Sequence, residues 1–187
     1  MDYICAFFDV QGFYCNDVFY PREAAIAGDK TVVHLSINNQ LTPQKLSLQE
    51  QKCVSYLSHF YHGLNLSATK DTGVSIEDLK VTLQSFYNFA STKDKYLIAV
   101  KSCEAETILR DLGIHRINVL DYGGTSKVID DGTQYPCHLH TVAKKPRMKC
   151  ALNNVIMLRK WYSTGRWSTY NFNSHNKNHR KHDNANF

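Results

Sequence analysis

The chain is expected to fold as an α/β domain built on a mixed sheet: an antiparallel three-strand meander, then parallel βα units, flanked by helices. Three observations carry this. Residues 3–37 hold three apolar, β-branched and aromatic stretches separated by turn residues. Residues 96–120 read strand, helix, strand, and a connection of that kind implies parallel pairing with a right-handed crossover. Helical periodicity fills the interval between these regions and returns at residues 150–162.

Taken in order, the first strand covers residues 3–8, alternates little, and so reads as a central strand buried on both faces and ending at Asp9. Gln11-Gly12 and Asn16-Asp17 mark turns. Phe19–Ala27 and Lys30–Ile37 follow as strands joined at a hairpin-type junction, Gly28-Asp29, and Thr42-Pro43 ends the meander. Ser47 and Glu50 then form a capping-box pattern ahead of a stripe of Leu46, Val54, Leu57, Tyr61 and Leu64. A second helix starts at Ser75 with Asp78, its core stripe being Ile76, Leu79, Leu83 and Phe86. The βα unit runs through Tyr96–Val100, a helix over Glu104–Leu112 closed by Gly113, and Ile117–Leu120 ending at Asp121. Residues 122–136 are a loop, and a last amphipathic helix spans about 150–162, with Leu152, Val155, Ile156 and Leu158 on one side.

The chain has 187 residues, enough for one domain with a real core and no need of disulfides. The apolar run before Asp9 is too short for a signal peptide or a membrane span, so an intracellular protein, cytoplasmic or nuclear, with no membrane partner is expected. In that setting its six cysteines are thiols or metal ligands. Cys5, Cys53 and Cys103 lie in apolar stretches and read as small buried residues; Cys15 lies in a turn. The domain is taken as residues 1–162. Residues 163–187 form a basic Asn- and His-rich tail that cannot bury enough apolar surface to fold alone. It is either a solubilising tail or an arm that attracts nucleic acid, with Trp167, Tyr170 and Phe172 as stacking groups.

Cys137, His140 and Cys150 stand in a C-x2-H-x9-C spacing immediately before the last helix. Two thiols and an imidazole are three ligands of a four-coordinate soft site, and His138 is an alternative imidazole on the opposite side of an extended segment. Between His140 and Cys150 lie Lys144, Lys145, Arg147 and Lys149 with no acid, a set that is either a solvated loop or a phosphate-contacting one.

A meander followed by βα units is the ribonuclease H-like arrangement. Within it the chain resembles the exonucleases with a four-carboxylate, two-metal site, and over residues 3–162 it is most similar to the Maelstrom domains of the piRNA pathway. The resemblance rests on Asp9-Val10-Gln11 against the family's Asp-x-Glu, on Ala105 where the second Asp falls, and on Lys149-Cys150-Ala151-Leu152-Asn153-Asn154-Val155 against His-x-Ala-Leu-x-Asp-Ala. Only Asp9 survives, because Gln11, Ala105, Lys149 and Asn154 stand where the chemistry needs charged or imidazole groups. One carboxylate cannot offset the charge of two divalent ions, so no two-metal exonuclease activity is expected. The resemblance also implies a structural zinc on Glu-His-Cys-Cys, with Pro21-Arg22-Glu23 supplying the Glu. The implied set is Glu23, Cys137, His140 and Cys150, the last at a helix N-terminus that favours a thiolate.

The function this implies is a zinc-stabilised pseudo-exonuclease that binds single-stranded RNA through Lys101, Lys144, Lys145, Arg147 and Lys149, in small-RNA or transposon silencing. Weak metal-independent ribonuclease activity is compatible with that family. The alternative is a protein-interaction module of transposon or viral origin that does not bind RNA.

Overall fold

A computed structural model of the chain describes residues 3–66, 73–122, 137, 139–140 and 149–164. Five strands make one open mixed sheet in the order β3-β2-β1-β4-β5. β1 (Ile4–Cys15), β2 (Val18–Ala27) and β3 (Val32–Ser36) are the antiparallel meander. β4 (Leu97–Val100) and β5 (Arg116–Asn118) add to the other edge of β1 in parallel, as the βα grammar requires. The expected α/β class with a mixed sheet and flanking helices is therefore present.

β1 is longer than the sequence suggested. It does not end at Asp9, because Gln11-Gly12 is a bulge inside the ladder rather than a turn. Gln11 pairs with Glu23 and Gly12 with Pro21, which leaves Arg22 as the extra residue on β2. The chain reverses instead at Asn16 and Asp17, whose φ values of 49° and 61° suit the two-residue hairpin connection. At the other edge, the strand expected to reach Leu120 stops at Asn118 and passes into a 3-10 turn over Val119–Tyr122.

Among the described residues four helices flank the sheet: α1 (Leu48–Tyr56), α2 (Ile76–Ala90), α3 (Cys103–Asp111) and α4 (Ala151–Ser163). Capping boxes start α1 at Ser47 with Glu50 and α2 at Ser75 with Asp78, and the Ser102 hydroxyl caps α3. α1 continues as a π-helical turn over Leu57–Tyr61.

Strand parity divides the core. Ala6, Phe8, Val10, Ala24 and Ile26 face one way and pack on Leu79, Leu83 and Phe86 of α2 and on Ala105 and Leu109 of α3. Phe7, Ala25, Ala27, Ala99 and Ile117 face the other way, onto Ala151, Val155, Leu158 and Trp161 of α4. A third cluster of Phe13, Cys15, Leu41, Leu46, Val54 and Leu64 anchors α1 beyond the bulge. Within it Cys15 is buried at a strand end rather than placed in a turn, while Cys53 and Cys103 are exposed, contrary to the expectation for residues in apolar stretches. Both lie on the solvent sides of their helices. Tyr61, expected in the α1 core stripe, is exposed as well, because the π turn rotates it outward.

Candidate metal centre

Glu23 belongs to the sheet face that carries α4, two residues before Ala25 on β2. Burying a carboxylate there requires partners, and several groups converge on it. One ligand atom from each of Glu23, Cys137, His140 and Cys150 lies within 4.8 Å of the others. Glu23 Oε1 is 3.1 Å from His140 Nε2, 3.4 Å from Cys150 Sγ and 3.7 Å from Cys137 Sγ. Donors at the corners of a tetrahedron with bonds of about 2.0–2.3 Å stand roughly 3.3–3.8 Å apart, and the three distances from Glu23 are close to that range.

The surrounding contacts hold each donor in place. The backbone N–H of Ala151, at the start of α4, donates to Glu23 Oε2 at 2.9 Å and leaves Oε1 directed at the cluster. The Nδ1 atom of His140 contacts the carbonyl oxygen of His62, which fixes the ring with Nε2 inward. His62 is itself buried, its ring edge-on to Phe13 at 4.8 Å, and its Nδ1 accepts from the Leu64 N–H. Cys150 is the N-cap of α4. This set of two thiols, one imidazole and one carboxylate, with Glu23 and Cys150 buried and Cys137 and His140 half-buried, could hold a metal ion.

Electrostatics agree with a cation-binding cluster. Burial acts to raise the Glu23 pKa, but the hydrogen bonds from His140 and His34 and the Ala151 N–H outweigh it and hold the carboxylate well below its usual range. Burial likewise acts against charge on His140, whose contacts with Cys137 and Glu23 nevertheless raise its pKa to about 10. Of the two thiols, Cys137 takes the negative charge because the Cys150 S–H donates to it, while burial and Glu23 keep the proton on Cys150.

His34 was not foreseen. Its Nε2 lies 2.8 Å from Glu23 Oε1 and 3.9 Å from Cys137 Sγ. The β2–β3 register explains this: Ser36 pairs with Glu23 and His34 with Ala25, so His34 is the diagonal neighbour of Glu23 on the same face. The parity of the hairpin at Gly28-Asp29 was the signal that could have found it.

Asp9 faces the same side and is fully buried. Its Oδ2 accepts from Gln11 Nε2 at 2.8 Å and Asn154 Nδ2 at 2.7 Å, and Lys101 Nζ donates to Asn154 Oδ1 at 2.6 Å. Asp9 is therefore surrounded by amides, with an ammonium behind them. Ala105 is in the core on the opposite face of the sheet, and its acidic neighbours are engaged elsewhere: Glu104 accepts from the Tyr14 hydroxyl at 2.8 Å, and Glu106 from Asn118 at 3.2 Å. Lys149 is half-buried, with its backbone N–H on the Tyr61 carbonyl at 2.9 Å. Lys144, Lys145, Arg147 and the alternative ligand His138 lie outside the described residues, as does the tail beyond Thr164.

No family model, curated protein or solved structure matches the chain. Among the described residues no helix is long and apolar enough to cross a membrane.

Proposed function

We propose that the chain is a zinc-stabilised, ribonuclease H-like domain of the Maelstrom type that binds single-stranded RNA inside the cell, without two-metal nuclease chemistry, in small-RNA or transposon silencing. The observation that carries this reading is the convergence of Glu23, Cys137, His140 and Cys150 on one point, with one ligand atom of each within 4.8 Å of the others. Two sulfurs, one nitrogen and one oxygen suit zinc better than magnesium or calcium, which take oxygen donors. With all four positions filled by protein, zinc there cross-links β2, the 137–140 segment and α4, and has no corner left for substrate.

The amide shell of Asp9 supports the second part of the reading. A pair of divalent ions needs several carboxylates, whereas here Gln11 and Asn154 donate to Asp9 and Lys101 brings a positive charge to the same network. RNA binding is supported by the four basic residues between His140 and Cys150, the last of which adjoins the metal centre.

The test is made on the purified full chain. Elemental analysis should find one zinc per chain, lost in Cys137→Ser. A labelled oligo(U) should bind with an affinity that falls by orders of magnitude as salt rises from about 50 to about 200 mM, and Lys144, Lys145 and Arg147 changed together to Glu should abolish binding. Substoichiometric zinc ends the metal reading, and failure of the wild type to bind at low salt ends the RNA reading.

A further inference from the structure

Resting on the single-strand reading above, we propose that the outer side of α1 and its π-helical extension is a stacking platform for the bases of a single-stranded nucleic acid. The inner side of this segment needs no ligand, because Val54 is buried with Phe13, Leu41, Leu46 and Leu64, and Leu57 packs against them. The outer side is a different surface. Tyr56 is 61%, Phe60 49% and Tyr61 44% exposed, three large aromatic rings within six residues. Leu48, Lys52, Tyr56 and Phe60 recur at i+4 and form one stripe along the helix. Tyr56 and Phe60 are neighbours at a centroid distance of 5.6 Å, with ring planes 36° apart.

The π turn is part of this arrangement. The His62 N–H bonds the Leu57 carbonyl at 3.0 Å, a wider loop than the α-helix allows. It lets Tyr61 follow Phe60 onto the solvent side while Leu57 stays in the core. π turns interrupt regular helix geometry and occur frequently at functional sites. His59 extends the row, its ring 6.2 Å from that of Phe60 and its Nδ1 held on the Ser55 carbonyl at 2.7 Å.

Charge decides the class of partner. Residues 51–66 contain Lys52 and no Asp or Glu. The one acid of α1, Glu50, is turned to the helix N-terminus, where it serves Ser47 and the Asn16 N–H. At the other end Lys149 is joined to Tyr61 through the backbone. Neither Lys52 nor Lys149 has an ion-pair partner among the described residues. Aromatic faces flanked by free cations and clear of acids suit unpaired bases on a phosphate backbone. Duplex bases are already stacked and offer these rings nothing.

The experiment is fluorescence anisotropy on the full chain with labelled oligo(U) and oligo(dT) of about 12 nucleotides and a duplex RNA of the same length. Tyr56→Ala with Phe60→Ala should weaken both single strands about tenfold or more and leave the salt dependence unchanged, with retained far-UV circular dichroism as the check that the variant is folded. Tyr56→Phe should bind as the wild type does, and Lys149→Glu should lower the salt slope. If the double variant binds like the wild type while Lys144, Lys145 and Arg147 changed together to Glu do not bind, the platform falls and the RNA reading stands. If the wild type binds no strand at low salt, both fall. Equal loss of duplex binding, or self-association abolished by the double variant in place of any oligonucleotide effect, would also overturn the platform.

Discussion

Asp9 is a carboxylate enclosed without a full complement of donors: Oδ2 accepts two amide hydrogens, and Oδ1 has no partner among the described residues. Burial accordingly pushes its pKa from 3.8 to about 6, against the opposing pull of Lys101, Asn154 and Gln11. The folded state then holds this proton more tightly than the unfolded chain, so stability falls as pH rises between about 4 and about 6. For Asp9 the difference is worth roughly 3 kcal/mol. Asp9→Asn removes it, and urea unfolding at about pH 4 and about pH 7 should show the variant gaining that amount on the wild type toward neutral pH. The metal ligands titrate in both proteins and cancel in the comparison. A difference that does not change with pH would refute this account. Asp9 was legible as a lone survivor because its type could be read; the shell around it could not, since Gln11, Lys101 and Asn154 meet only after β1, β4 and α4 are assembled. Glu23 was legible through the resemblance, while His34 required the register of two strands.

At the scale of elements, local chemistry was readable and long-range geometry was not. The capping boxes at Ser47 and Ser75 are complete because a Ser and an acid three residues apart satisfy each other without help from the rest of the chain. Gly12 was misread because a glycine marks a turn and a bulge equally well. Its need for glycine comes from a distant strand: a Cβ on Gly12 would lie 2.2 Å from the Tyr20 carbonyl oxygen and 2.9 Å from Pro21 Cα, both backbone atoms. The bulge turns Arg22 to the Ser36 hydroxyl at 2.7 Å and the Ile37 and Asn65 carbonyls at 3.0 Å, and seats Glu23 opposite Gln11. Gly12→Ala should therefore cost about 3 kcal/mol or more in chemical denaturation, at the upper end for an overpacked site. On the proposed zinc reading it should also lower the zinc bound per chain, because Glu23 moves with the backbone. Wild-type stability in this variant would mean that the bulge relaxes freely.

At the scale of the molecule, the metal centre and the α4 half of the core are one mechanical unit. β2 supplies Glu23 and Cys150 caps the start of α4, so an ion held by the four donors would clamp the helix onto the face where Trp161, Val155 and Leu158 cover Phe7, Ala25 and Ala27. The opposite face has its own cluster, with α2 and α3 packed on Phe8, Val10 and Ile26, and shares no ligand with the centre. On the proposed metal reading, chelation should consequently open the molecule on one side only, since a donor set left without an ion keeps thiol and carboxylate groups in each other's way. Hydrogen exchange read by mass spectrometry, with and without a strong chelator, should show α4 amides exchanging tenfold faster or more, equivalent to about 1.4 kcal/mol, while α2 amides keep their protection. Uniform acceleration would mean that the two halves of the core unfold as one, and no acceleration would mean that packing alone holds α4. Either result would remove the clamp as the reason why two cysteines and a histidine stand so close to the start of the last helix.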